Sequence, residues 1–113
     1  MRITVFTPAY NRGYIIEKLY RSLQNQTFRN FEWLIIDDGS SDNTSEKIQS
    51  FIQDNNDFPI IFEKVENGGK HRAINLGVQK ARGELFFIVD SDDYLTNTSL
   101  EIVDQVEKAI PKE

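Results

Sequence analysis

Three aspartates follow the most hydrophobic short segment of the chain. The run FFIV, residues 86–89, leads directly into Asp90, Asp92 and Asp93. Carboxylates held this close repel one another unless some are protonated or a cation joins them. A hard divalent cation such as Mg²⁺ or Mn²⁺ prefers oxygen ligands and commonly bridges one or two carboxylates to phosphate groups. The spacing therefore predicts a metal–phosphate site. The alternative is a purely structural turn, because two aspartates separated by one residue are frequent by chance.

Polar residues also end two other apolar runs. Tyr10 and Arg12 follow the run VFTPA, and Asp37 and Asp38 follow the run FEWLII. An aromatic side chain such as Tyr10 can stack on a nucleobase or pack under a helix. Asp38 can accept hydrogen bonds from a nucleobase or a ribose. The stretch DDGSSDNT is rich in turn-forming residues, however, so both aspartates are equally compatible with a plain turn.

A third polar segment follows a glycine pair. Lys70, His71 and Arg72 come directly after the sequence NGG, residues 67–69, and can reach the same ligand. The glycines match neither GxGxxG nor GxxxxGK[ST], so we interpret NGG as a turn before a helix rather than as a phosphate-binding loop. His71, the single histidine, is equally compatible with a solvated helix end.

Hydrophobic periodicity places these polar segments at the ends of strands. Strands are predicted over 3–10 (ended by Pro8), 31–38, 58–65 and 84–89. Helices are predicted over 14–26, after a cap at Asp42 or Asn43, over 70–81, and from Thr98 to Pro111. Capping boxes are predicted for Asn43 with Glu46 and for Thr98 with Glu101.

The alternation of strands and helices predicts the fold class. A repeated β-α unit is typical of an α/β protein with a Rossmann-like open, mainly parallel sheet and helices on both faces. Right-handed crossovers then bring the carboxyl ends of all strands to one edge, where such sheets bind ligands. We expect Trp33 in the core and residues 86–89 in a buried strand that fixes the position of the aspartates.

Composition narrows the classes of partner. The 113 residues suit one modest domain, and the net charge of −5 disfavours a nucleic-acid polymer. The sequence has no cysteine, which excludes disulfides and cysteine-ligated metals within it. No apolar run approaches the ~20 residues that span a bilayer. We see no signal peptide, and a cytoplasmic location is expected.

Four motifs in a fixed order resemble a known family. They are VFTPAYNR, QTFRNFEWLIIDDGSSDNT, NGGKHRAINLG and VDSDDYL. In this order they resemble the N-terminal, nucleotide-sugar-binding half of the GT-A glycosyltransferases, specifically the inverting family 2. The resemblance covers nearly the whole chain. Each motif is weak alone, whereas the ordered set is highly specific.

The resemblance implies a role for each matching position. Pro8, Ala9 and Tyr10 would border the nucleobase, and Asp38 would contact a uracil-like base. The aspartate motif would bind the ribose and the metal-bridged diphosphate through Asp90.

For the remaining positions, the resemblance implies that Asp92 and Asp93 would hold Mn²⁺ or Mg²⁺, which neutralises the departing diphosphate. Lys70, Arg72 and Asn75 would lie near the nucleotide and the donor sugar. Many relatives have Ala-Arg-Asn where this chain has Ala-Ile-Asn, residues 73–75, which leaves the role of Arg72 open.

The resemblance also implies that part of the machinery lies elsewhere. An inverting transfer from a UDP-sugar to an acceptor hydroxyl needs a general base, and in this family the base follows the aspartate motif by many residues. We therefore expect residues 1–113 to be the donor-binding half of a longer enzyme, with the base beyond Glu113 and no catalytic residue of their own. The acceptor would be a glycan or a lipid-linked molecule, at the inner face of the membrane if the whole protein associates with it.

Two other classes remain as alternatives. A phosphoacceptor signalling domain also places acids at parallel strand ends, but it needs paired acids after the first strand, which here ends in TPAYN. A non-catalytic nucleotide-sugar-binding or interaction module would share the predicted site without the transfer.

Overall fold

The computed structural model describes residues 1–54 and 57–111, in which four strands alternate with four helices. The strands are β1 (Ile3–Ala9), β2 (Phe31–Asp37), β3 (Ile60–Lys64) and β4 (Leu85–Ile88). The helices are α1 (Ile16–Gln24), α2 (Thr44–Gln53), α3 (Lys70–Lys80) and α4 (Ser99–Ala109). The predicted order of elements is confirmed, and the observed elements are shorter at their ends than the predicted ones.

The strands form one parallel sheet in the order β3-β2-β1-β4. Ile3 pairs with Phe31 on one side of β1 and with Leu85 on the other, so all carboxyl ends lie at the same edge. The chain builds outward from β1 to β3 and then returns to the other side of β1. The strand order therefore reverses between β1 and β4, and the predicted open parallel sheet is confirmed.

Side chains alternate along each strand, and here both faces of the sheet carry apolar residues. Helices therefore cover both faces. Trp33 and Ile35 of β2 face a core shared with α1, α2 and α4, whereas Leu34 and Ile36 face a core shared with α3. Trp33 is fully buried, as expected, and its indole N–H donates a hydrogen bond to the Thr7 hydroxyl at 3.0 Å. Among the helices in the part of the chain that the structure describes, none is long and apolar enough to cross a membrane.

Pro8 does not end β1, contrary to the sequence prediction. The strand continues to Ala9, and Pro8 stands opposite Ile36 of β2. The Phe6 carbonyl accepts a hydrogen bond from Val89 at 2.9 Å, so the next residue on that side of β1 is Pro8. Because β4 has ended by then, the missing N–H of Pro8 interrupts no ladder.

The prediction of a buried fourth strand was wrong. β4 has β1 as its partner and lies at the sheet edge of the described residues, where Ile88 is 43% exposed. An apolar strand is fully buried only where a strand lies on each side of it and helices cover both faces of the sheet. Val89, the residue after β4, is the buried end of the run.

Neither predicted capping box is present among the described residues. Asn43 and Thr98 stand at the N-caps of α2 and α4 without a side-chain capping hydrogen bond. The Asp42 carboxylate instead accepts hydrogen bonds from the amide of Thr44, at 3.0 Å, and from its hydroxyl. Burial alone would raise the pKa of Asp42. These bonds and one from the Gly13 amide lower the pKa by more than burial raises it, so the pKa lies below its usual value.

A buried carboxylate fastens β4 to the rest of the sheet. Glu32 of β2 is fully buried and accepts hydrogen bonds from the Thr4 hydroxyl at 2.6 Å and from Arg82 at 2.8 Å, through both its amide and its Nε. Burial raises the pKa of Glu32, but the bonds from Thr4 and Arg82 outweigh it, so the pKa lies below its usual value. Because Arg82 precedes β4 by three residues, this contact fixes where β4 begins.

Candidate functional site

A crevice of about 340 Å³ opens at the carboxyl edge of the sheet, beside the point where the strand order reverses. Open α/β sheets bind ligands at this place because the loops of neighbouring strands diverge there. The lining residues are Pro8, Ala9, Tyr10, Arg12, Asp38, Lys70, Asp90, Ser91 and Asp92. Segments far apart in the sequence therefore deliver polar groups to one place, as the strand ends predicted.

Four candidate residues do not line this crevice: His71, Arg72, Asn75 and Asp93. The Arg72 side chain is exposed and lies over Gly68, where its Nη1 would be 2.6 Å from an added Cβ. Asp93 is exposed at the end of the aspartate turn, beside the crevice. The predicted roles of these four residues stay predictions.

The crevice also has two lining residues, Arg12 and Ser91, for which the sequence predicted no role. The Arg12 Nη1 donates a hydrogen bond to the Tyr10 carbonyl at 3.2 Å, and this brings a guanidinium to the end of β1. Ser91 is buried between two aspartates. The signal for Arg12 was its position just after a strand end, the same signal that indicated Tyr10.

Asn11 joins the loops that follow β1 and β2. It has a φ of 53°, in the left-handed region that asparagine tolerates better than most residues. Its Oδ1 accepts a hydrogen bond from the Ser41 amide at 2.8 Å, and its own amide donates one to the Ser40 hydroxyl at 2.8 Å. The two loops therefore hold each other in place at the rim of the crevice.

Asp37 shapes the turn after β2, as one of the two sequence interpretations predicted. It is fully buried, and its Oδ1 accepts hydrogen bonds from the Ser40 amide at 3.0 Å and from the Ser40 hydroxyl at 2.6 Å. Its Oδ2 accepts a third from the Ser45 hydroxyl at 3.0 Å. Asp37 therefore has a structural role in the described chain.

Asp38 connects the end of β2 to the start of α3. Its Oδ1 accepts a hydrogen bond from the Gly68 amide at 2.8 Å, and its Oδ2 accepts one from the Gly69 amide at 3.0 Å. Gly69 has a φ of 94°, which lets this turn present two successive amides to one carboxylate. Each carboxylate oxygen keeps a further lone pair, so Asp38 can still accept a hydrogen bond from a ligand.

The three aspartates after β4 form one cluster on a turn. The Asp93 amide donates to the Asp90 carbonyl at 3.0 Å, and Asp90, Asp92 and Asp93 each offer a carboxylate oxygen within 4.8 Å of the others. Across the crevice, the Lys70 Nζ lies 2.8 Å from the Asp90 Oδ1.

This cluster fits a hard divalent cation. Its donor atoms are all carboxylate oxygens, which Mn²⁺ and Mg²⁺ prefer, and an ammonium group already stands at one of them as a cation. Asp92 and Asp93 are exposed and Asp90 is half-buried, so the open side of the cluster leaves room for phosphate oxygens.

Comparison with known proteins assigns the family. The sequence model described as "Glycosyl transferase family 2" matches residues 4–108. The chain belongs to glycosyl transferase family 2. A curated relative, Glycosyltransferase GlyG of Streptococcus pneumoniae, is 34% identical over 103 residues, which are 91% of this chain and 34% of GlyG.

Solved structures of glycosyltransferases share the fold. S. aureus TarS 1-349 in complex with UDP-GlcNAc superimposes with a TM-score of 0.87 at 29% identity, over 96% of this chain and 31% of that one. The mannosyltransferase PcManGT from Pyrobaculum calidifontis, in complex with GDP-Man and Mn²⁺, gives 0.78 at 28% identity, over 82% and 28%. The family 2 chain described here spans between 14% and 39% of the lengths of its first curated relatives.

Proposed function

We propose that residues 1–113 bind the donor of a family 2 glycosyltransferase, a nucleoside diphosphate sugar with uracil as its base, together with Mn²⁺ or Mg²⁺. The observation that carries the proposal is the single crevice that joins Asp38, the end of β1 and the aspartate cluster. Two similar structures support parts of it. TarS was captured with UDP-GlcNAc, which supports a uracil base, and PcManGT was captured with GDP-Man and Mn²⁺, which supports a sugar nucleotide together with a metal.

The end of β1 and Asp38 would receive the nucleoside. Pro8 and Ala9 form one wall, and Tyr10 is 47% exposed, so its ring is accessible for stacking on a base. The Asp38 carboxylate is held by two backbone amides and can accept the imide N–H of uracil through a remaining lone pair.

The aspartate turn would receive the ribose and the diphosphate. Asp90 would contact the ribose and diphosphate, while Asp92 and Asp93 would hold the cation. A bound divalent cation neutralises the negative charge that develops on the leaving diphosphate. The hydrogen bond from the Asp93 amide to the Asp90 carbonyl holds the turn that carries these carboxylates.

The whole enzyme would transfer the sugar to an acceptor hydroxyl of a glycan or lipid-linked molecule with inversion. We expect the 113-residue chain alone to bind the donor without transferring the sugar, since the resemblance places the catalytic base after residue 113. Sustained transfer by this chain would contradict that placement of the base, while leaving the donor site intact.

Isothermal titration calorimetry with UDP tests the donor site. We expect the chain to bind UDP more tightly with Mn²⁺ than without it, and more tightly than GDP. The variants Asp92→Asn and Asp38→Ala should each weaken binding by about tenfold, the loss of one interaction with a charged group. Asp57→Asn is a matched control, because Asp57 is 88% exposed and pairs with Arg29 just before β3, at the opposite edge of the sheet.

Two results would overturn the proposal. One is an absence of UDP binding by the wild-type chain in the presence of Mn²⁺. The other is wild-type affinity in both Asp92→Asn and Asp38→Ala, which would move the ligand away from the crevice.

A further inference from the structure

An ion pair spans the mouth of the crevice. Lys70, the first residue of α3, places its Nζ 2.8 Å from the Oδ1 of Asp90, which follows β4. Both side chains line the crevice, and both are accessible to solvent, at 59% for Lys70 and 43% for Asp90. An exposed pair of this kind contributes little to folding stability, so its position at the site is the feature that needs a reason.

The backbone at Lys70 is fixed while its side chain is free to turn. Asp38 accepts hydrogen bonds from the amides of Gly68 and Gly69, and the Asn67 side-chain amide donates to the Asp38 carbonyl at 3.1 Å. These bonds hold the residues just before α3. The four-carbon stem of Lys70 rotates readily about its own bonds, so the ammonium can leave Asp90 without any movement of the helix.

The charges around Asp90 favour such a movement when a donor binds. A divalent cation at the aspartate cluster would stand close to the ammonium of Lys70, and two positive charges at this distance repel. A diphosphate would bring new negative oxygens to the same side of the crevice, and phosphate is a strong acceptor for a lysine ammonium.

From this geometry we infer that the Lys70 ammonium pairs with the Asp90 carboxylate in the free chain and moves to the diphosphate when donor and metal bind. The inference rests on the proposed function. In the free chain, Lys70 lowers the affinity of the aspartate cluster for a divalent cation. In the complex, the same ammonium holds the diphosphate. Lys70 therefore links metal binding to donor binding and disfavours loading with metal alone.

The variant Lys70→Met tests this inference because the two effects have opposite signs. Binding of Mn²⁺ without nucleotide, followed by the electron paramagnetic resonance signal of free Mn²⁺, should tighten by about threefold to tenfold as a nearby positive charge is removed. Binding of UDP with Mn²⁺ present, followed by calorimetry, should weaken by about tenfold as a charged hydrogen bond is lost. Lys70→Arg should retain UDP binding.

Lys80→Met is the matched control. Lys80 lies on the same helix and forms an ion pair of 2.8 Å with Glu63, about 15 Å along α3 from Lys70. The variant Lys80→Met removes the same charge from the chain as Lys70→Met, and it should change neither titration. Circular dichroism of each variant should show the wild-type fold, since Lys70 is exposed.

Two patterns would overturn the inference. If Lys70→Met weakens the binding of Mn²⁺ alone, then Lys70 is a fixed support of Asp90. If it leaves both titrations unchanged, then the ion pair is a surface contact with no role in the site. Failure of the proposed function looks different, because the wild-type chain itself would then bind no UDP.

Discussion

Replacing Asp38 by asparagine tests whether this residue holds the turn before α3. The carboxylate of Asp38 accepts one hydrogen bond on each oxygen, from the amides of Gly68 and Gly69, and Asp38 is only 6% exposed. Asparagine has the same shape but a single oxygen. One glycine amide would therefore face an NH₂ group, with donor opposed to donor and no charge to offset the conflict.

The size of the effect follows from these contacts. Losing one part-buried hydrogen bond to a charged acceptor costs about 2 kcal/mol. In a domain of this length, 1 kcal/mol corresponds to a shift of about 4 °C in the midpoint of thermal unfolding. Asp38→Asn should therefore lower the midpoint by about 8 °C.

Thermal unfolding followed by circular dichroism measures this shift, with urea unfolding as a second measure of the free energy. Asp93→Asn is the control, because it removes the same charge from an exposed carboxylate of the same site and should not lower the midpoint. Equal midpoints for Asp38→Asn and the wild type would refute the reasoning, since the carboxylate would then not be holding the turn.

Two further variants test contacts that hold the sheet and α3 together. Glu32→Gln should lower the free energy of unfolding at pH 7 by about 2 kcal/mol, because the bonds from Thr4 and Arg82 lose a charged acceptor. The folded-state pKa of Glu32 lies below its unfolded value of about 4.3, so its stabilising contribution is present above that pH and is lost as the pH falls through the folded pKa. Urea unfolding between pH 7 and pH 3 should accordingly decline less steeply in Glu32→Gln, and an unchanged slope would count against the contact. Gly77→Ala places a Cβ against the Phe6 ring and should cost about 1–2 kcal/mol despite the better helix propensity of alanine, whereas a raised thermal midpoint would contradict this packing.

The sequence predicted the architecture because its hydrophobic periods are local and strong. Each run of apolar residues gave a strand or a helix, and the alternation of the two implied a parallel sheet with its polar strand ends at one edge. The burial of β4 was mispredicted, since the place of a strand in the sheet depends on its neighbours and not on its own composition. Pro8 was misjudged for the same reason, because its effect depends on where β4 ends.

Within the site, residue type predicted location better than it predicted contacts. The strand-end rule brought Tyr10, Asp38 and Asp90 to one crevice. It did not reveal that Asp38 binds two backbone amides, since that contact joins residues 30 and 31 positions apart in the chain. No role was predicted for Arg12 because an arginine after a strand end is a common surface residue, and only the folded loop turns it toward the crevice.

Asp37 and Asp38 are adjacent in one short motif, but they have different roles. Asp37 is satisfied by Ser40 and Ser45 within its own loop, so it has a local role. Asp38 reaches across to the turn before α3 and lines the crevice, so it connects the base-binding end of the proposed site to Lys70. Equal residue types in adjacent positions therefore have different expected effects on donor binding.

The central claim is that the crevice binds a nucleoside diphosphate and a divalent cation together, and paramagnetic mapping by nuclear magnetic resonance tests it most directly. The uniformly ¹⁵N-labelled chain would be titrated with UDP and Mg²⁺, followed by a small amount of Mn²⁺. We predict that amide shifts on UDP addition centre on residues 9–12, 38 and 68–70, and that broadening by Mn²⁺ centres on residues 90–93. Shifts and broadening at another surface would contradict the account. So would broadening at residues 90–93 that is the same with and without UDP.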